Sequence, residues 1–201
     1  MIRYSFLQHK MLQLYKELSK IEYPMNPDLL FKLLPNCRIM SYQSFAQLNA
    51  CSTNDVILLC ESKSGCTHYD FAKDRYLVLI NESNDNHNVN GRILWTKAHE
   101  LGHVASAHLP SIALSHIAEN GFNNLTNPIF EAEADYFASI VLAPMPLYEI
   151  LKISSYLDIR YVFGLSHEAA VNQWNSYLKW KQSHRKTAWE NDMKRLYKER
   201  S

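Results

Sequence analysis

The sequence predicts an α+β fold, a small, mostly antiparallel sheet packed on a helical bundle. Three observations lead to it. Short runs rich in β-branched and aromatic residues cluster between residues 37 and 80. From Arg92 onward, apolar residues recur at helical spacing. The first of the helices so defined carries His99, Glu100 and His103, and residues four apart on a helix lie one above the other on one face.

The bulk numbers set the frame. A chain of 201 residues, 47% hydrophobic and 20% charged, is long enough for one domain with a proper core and has a globular composition. The net charge of +1 provides no global field for nucleic acid or an anionic membrane, so any basic surface is local. The segment "MIRYSFLQHKMLQLYKELSK" lacks the apolar run and small-residue cleavage site of a secretory signal. No stretch approaches the ~20 apolar residues of a membrane span. The four cysteines contain no CxxC pair and read as reduced thiols, so a cytoplasmic location is expected.

In chain order, residues 5–20 carry Phe6, Leu7, Met11, Leu14, Tyr15 and Leu18 at helical spacing, and Pro24 and Pro27 end that segment. A short helix follows from Asp28 to Leu34. Three strands are expected next: "DVILLC", "CTHYDF" and "RYLVLI". A polar loop spans 81–91, and helices are expected over 92–108, 128–142, 145–156, 166–180 and 185–199. The stretch 109–127 connects the first two, with "ENGFNN" and "TNP" as turns and Pro128 suited to a first helical turn. Residues 1–50 form a helical and strand-bearing lead-in, 51–180 the main domain and 181–201 a basic terminal helix.

The stretch "TKAHELGHVASAHL" carries the chemistry. His99 and His103 are spaced so that two imidazoles can converge on one cation, and imidazole suits zinc. Glu100 lies on a neighbouring side, placed to act as a general base on water without being a ligand. This is the HExxH pattern of zinc metalloproteases. With 9 histidines, chance alone yields roughly 0.02 occurrences in a chain of this composition. Leu94, Ala98, Leu101 and Ala105 form a separate core-facing arc. Gly102 costs about 1 kcal/mol against alanine in a helix, and its useful role is close approach by another backbone.

The third ligand lies elsewhere. His108 misses the sixth position after His103 that an extended three-histidine motif requires, and Ser106 stands where that motif has glycine. His108 instead reads as a C-terminal helix cap, and His116 falls in a connection. In "PIFEAEADYFASIVLAP", Glu131 and Asp135 share one face and border the apolar arc of Phe130, Ala134, Phe137, Ala138 and Val141. Glu133 is rotated by ~200° from Glu131 and lies farther round. A carboxylate on an inward border is costly without a cation or donor, so Glu131 is the expected third zinc ligand. Asp135 is expected to accept a hydrogen bond from a ligand histidine and fix its tautomer.

Four pieces in order, "LVLINE", "RILWTKAHELGH", "EAEADYFASIVLAP" and "FGLSHEAAVNQW", resemble the ImmA/IrrE family of zinc metallopeptidases over roughly residues 55–180. The resemblance implies a gluzincin-like fold in the cytoplasm of a bacterium or its mobile elements. It implies a regulatory role, since family members cleave, or promote loss of, helix-turn-helix repressors. His99, His103 and Glu131 fall on the family's metal-ligand positions, Glu100 on its general base, and Asp135 where the family has Asn or Asp. The "VLAP" ending departs from the usual Leu-Leu-Met-Pro-like one, which touches packing rather than chemistry.

The resulting expectation is a zinc endopeptidase acting on a protein substrate, a helix-turn-helix repressor. "CTHYDF" or "RYLVLI" could supply an edge strand that pairs with extended substrate. The oxyanion donor stays open among Tyr136, His108, His116 and Tyr161. Two rival readings are a non-catalytic zinc-stabilised module that docks a repressor, and DNA binding through 163–178 and the basic tail. The outline of "FGLSHEAAVNQW" fits a helix-turn-helix, but residues 167–175 hold no Lys or Arg for phosphate contacts. The tail, with Trp180, Trp189 and Tyr197, reads as a solvated terminal helix.

Overall fold

The computed structural model describes residues 1–83, 89–111, 116–118, 127–183 and 187–201. Residues 84–88 of the expected polar loop 81–91, and residues 119–126 with the expected turn "ENGFNN", lie outside them. The described elements run α1 (Tyr4–Glu17), α2 (Pro27–Phe31), β1 (Cys37–Ser41), α3 (Tyr42–Leu48), α4 (Thr53–Cys60), β2 (Gly65–Asp70), β3 (Arg75–Ile80), α5 (Val89–Ala105), α6 (His108–Ser111), β4 (His116–Ala118), α7 (Pro128–Leu142), a 3₁₀ turn (Met145–Leu147), α8 (Tyr156–Phe163), α9 (His167–Ser183) and α10 (Ala188–Arg200). This is the expected α+β architecture.

The sheet has the order β1-β3-β2-β4. β1 pairs parallel with β3, through Ile39 opposite Val78. β2 pairs antiparallel with β3 on one side and with β4 on the other, so the sheet is mixed with antiparallel pairings dominant. β2 and β3 are therefore interior strands, which corrects the expectation that "CTHYDF" or "RYLVLI" offers an open edge: β1 and β4 occupy the edges. The two faces of the sheet differ. Val78 and Ile80 join the main core with the helices, whereas Cys66 and Leu79 pack on the other face against Tyr42, Ala46, Val56 and Cys60 of α3 and α4.

Two expected elements are corrected. "DVILLC" is helix α4, not a strand. Its β-branched composition is outweighed by a reciprocal cap: the Asp55 amide donates to Ser52 Oγ at 3.1 Å and the Ser52 amide to Asp55 Oδ2 at 2.8 Å. Val56 and Cys60, one helical turn apart, are buried, while Leu58 is 70% exposed. The helix expected over 145–156 is only the 3₁₀ turn followed by irregular chain, because Lys152 takes a left-handed φ of 56° and Ser155 restarts the chain by capping Asp158.

The main core draws on residues from Leu7 in α1 to Leu196 in α10. α10 is not simply solvated: Met193 and Leu196 are buried, and the Ile21 amide donates to the Arg200 carbonyl at 2.8 Å. The helix-turn-helix outline is present, with Gly164 at φ 68° between α8 and α9 and the Ala169 amide donating to Ser166 Oγ. Its second helix turns Ala170, Gln173 and Tyr177 into the core, where Gln173 Nε2 donates to the Ala143 carbonyl at 2.9 Å.

One contact positions everything that follows. A Cβ at Gly102 would stand 2.9 Å from the Cα of Ala134, so glycine is what lets α5 and α7 approach backbone to backbone. Gly102→Ala gains about 1 kcal/mol of helix propensity but meets rigid backbone, and overpacking of this kind costs about 1–3 kcal/mol. The expected outcome is a lower melting temperature together with weaker metal binding, read by thermal unfolding and metal titration of the variant. A variant as stable as the parent with full metal affinity would contradict the contact's role.

Candidate metal centre

The facing surfaces of α5 and α7 bring His99, His103 and Glu131 together. His99 Nε2 lies 3.1 Å from His103 Nε2 and 3.3 Å from Glu131 Oε2, and His103 Nε2 lies 3.6 Å from Glu131 Oε1. Both imidazoles are almost completely buried, and Glu131 Oε1 is buried with no hydrogen-bond partner. Zinc bonds of ~2.0–2.2 Å to nitrogen and oxygen at tetrahedral angles set ligand atoms about 3.3 Å apart, so this triangle has the size of a metal's coordination face.

The protonation states follow from the outer contacts. The His99 Nδ1 faces Asp135 Oδ1 at 3.0 Å; a proton there leaves the Nε2 lone pair directed at the triangle. His103 is buttressed through a longer chain. Its Nδ1 lies 2.9 Å from His108 Nδ1, and His108 Nε2 lies 2.9 Å from Glu133 Oε2. Glu133 in turn accepts from Arg3: from the main-chain amide at 2.8 Å and from the guanidinium at 2.5–3.1 Å. Burial pushes the Glu133 carboxyl up, but the hydrogen bonds from Arg3 and His108 outweigh it and hold it down at about 2. An ionised Glu133 accepts a hydrogen bond from His108 Nε2–H. Burial keeps the His108 ring neutral against the pull of Glu133, so its Nδ1 accepts from His103 Nδ1–H. Burial, reinforced by the His99 and His108 rings, keeps His103 neutral as well, with its Nε2 lone pair in the triangle. Two lone pairs and a carboxylate oxygen thus meet at one point, an arrangement a cation completes.

Glu100 is fully buried, and its Oε2 accepts from Thr67 Oγ1 of β2 at 2.6 Å. Thr67 therefore ties the sheet to the helix next to His99. Of the four open oxyanion candidates, His108 is engaged by His103 and Glu133, the Tyr136 hydroxyl accepts from Gln8 at 2.7 Å, and His116 pairs with His68 on the sheet. Tyr161 is 89% exposed on α8.

Two sequence readings change here. His108 is not a charged C-terminal cap: it is buried, opens α6, and stacks on Phe130 with ring centroids 4.2 Å apart. Glu133 is not an outlying residue on α7. Its side chain is 1% exposed, against 24% for Glu131 and 60% for Asp135. The cause is that α7 buries two sides: one against α5, and another against α1, where the Tyr15 hydroxyl donates to the Val141 carbonyl at 2.5 Å. The signal was Ile140, an apolar residue seven after Glu133 on the side taken for solvent. Arg3 and Thr67, distant in sequence, carried no local signal.

Removing the clamp should therefore act at a distance. Arg3→Ala is expected to cost about 1–2 kcal/mol, less than a fully buried pair, because the guanidinium side chain is 44% exposed. Glu133→Gln is expected to lower metal affinity about 10–100-fold through the orientation of His103. Competition against a chromophoric chelator reads the second effect, and unchanged affinity would remove the relay from any part in metal binding.

Among the described residues, no helix is long and apolar enough to cross a membrane. No curated protein is found to match the chain. The family model for the IrrE N-terminal-like domain, Peptidase M78, matches residues 57–175, a span that holds α5, α7 and all of the triangle. With more than half of its length so matched, the chain belongs to the ImmA/IrrE family of metallopeptidases.

Proposed function

We propose that the protein is a zinc-dependent endopeptidase, with His99, His103 and Glu131 as metal ligands, Glu100 as general base and Asp135 as the group that orients His99. The convergence of three ligand atoms, one of them a buried carboxylate oxygen with no other partner, is the observation that carries this reading. The nitrogen and oxygen donor set suits zinc, and three protein ligands leave a position open, as in catalytic sites. A zinc ion held there supplies Lewis acidity, which makes water a competent nucleophile near neutral pH and polarises a peptide carbonyl.

The remaining work falls to the chain. Glu100 receives a proton from the attacking water on its carboxylate and delivers it to the leaving nitrogen. The hydroxyl of Thr67 holds Glu100 Oε2 in place for both transfers. Among the described residues β4 ends the sheet beside β2, and an extended substrate pairs along its outer side by main-chain hydrogen bonds. We take the substrate to be a cytoplasmic regulatory protein, a helix-turn-helix repressor, cut in an exposed linker or a segment that unravels, since a packed helix does not fit an extended-peptide cleft.

Glu100→Gln should keep the fold and the zinc and lose ~10²–10⁴ in cleavage rate. His99→Ala should lose the metal. Co-expression with a repressor encoded beside this gene, followed by mass spectrometry of its fragments, tests the substrate. Undiminished cleavage by Glu100→Gln would overturn the mechanism, and a bound but intact repressor would make the protein a docking module instead.

A further inference from the structure

A second group of metal-binding side chains lies on the opposite face of the sheet. Strand residues alternate in direction, so Thr67 faces Glu100 while Cys66 and His68 face the other way, towards α3 and α4. There Cys60, the last residue of α4, meets them: the ligand atoms of Cys60, Cys66 and His68 all lie within 4.8 Å of one another. Both cysteines are fully buried and both are free thiols.

A fourth donor is adjacent. His116 of β4 stands directly opposite His68 in the ladder, with its Nδ1 3.2–3.3 Å from the His68 ring nitrogens. Its Nε2 is buried with no hydrogen-bond partner. A buried ring nitrogen without a partner is a cost that a cation would remove. Zinc bonds of ~2.3 Å to sulfur and ~2.0–2.1 Å to nitrogen place neighbouring ligand atoms about 3.3–3.8 Å apart, so a contraction of about 1 Å brings Cys60, Cys66 and His68 to that spacing, while His116, outside their 4.8 Å group, must swing in to join them.

We propose that Cys60, Cys66 and His68, with His116 as the fourth donor, form a second transition-metal site, separate from the HExxH centre. Two thiols and two imidazoles are a soft set that selects zinc over magnesium or calcium, and a closed four-ligand site is structural. Its metal ties the end of α4 to β2 and fastens β4, which pairs with β2 through three described residues, to the sheet. Each bound thiol gives up its proton on binding, so metal uptake releases protons.

Cobalt distinguishes the two centres, because only the second offers sulfur. The full chain, stripped of metal and kept reduced, is titrated with Co²⁺. The expected result is about two equivalents bound and a sulfur-to-cobalt charge-transfer band in the near ultraviolet. Cys66→Ser should lose that band and one equivalent, while His99→Ala should keep the band and lose the other equivalent. If Cys66→Ser fails to fold by circular dichroism, His68→Ala, at a less buried position, should weaken the band's titration by at least about tenfold. A reduced, folded parent with no such band, or a band that survives both Cys60→Ser and Cys66→Ser, overturns the proposal. Failure of the HExxH reading alone would leave the band intact.

Discussion

Two helices can share a cation only if their axes come close enough for short side chains to meet, and the Gly102–Ala134 contact sets that separation. Any side chain at residue 102 would hold α7 away and open the triangle formed by His99, His103 and Glu131. The other features of the centre presuppose this contact. It aligns Asp135 with the outer nitrogen of His99 and lets His108 lie between His103 and Glu133. The helical cost of a glycine is small beside what a misplaced ligand would cost in affinity.

Burying so many polar groups is expensive unless each is paired, and the pairing here is directional. Arg3 fixes the charge of Glu133, Glu133 fixes the proton on His108, and His108 fixes the proton on His103. The end of that sequence is a lone pair aimed at a chosen point. His99 reaches the same state by a single step through the more exposed Asp135. One histidine is thus oriented from the surface and the other from the interior, so solution conditions act on the first more directly than on the second.

The fold class and the pairing of His99 with His103 were legible in the sequence because both depend on short-range spacing, while Glu131 was added to the pair by the cost of an unpartnered inward carboxylate and by the family resemblance. Residues four apart on one helix must share a face, and the same holds for Glu131 and Asp135. What escaped depended on either weak local signals or distance. Both misread elements, α4 and the segment before α8, turn on a serine followed three residues later by aspartate, a cap that outweighed composition. Glu133 was placed outside because α7 was read as having one buried side, when α1 returns to cover another. The partners of Glu133 and Glu100, namely Arg3 and Thr67, lie 130 and 33 residues away, and spacing rules do not reach that far.

The sequence separation within the Arg3–Glu133 clamp also bears on how the protein is made. Arg3 leaves the ribosome about a hundred residues before the two histidines of α5, and α7 follows later still. Until α7 has emerged, the nascent chain holds two imidazoles with neither the carboxylate that completes their triangle nor the one that orients His103. The centre therefore cannot form before α7 has been made. The three-ligand triangle is thus a late product of synthesis relative to the helix that carries its two histidines.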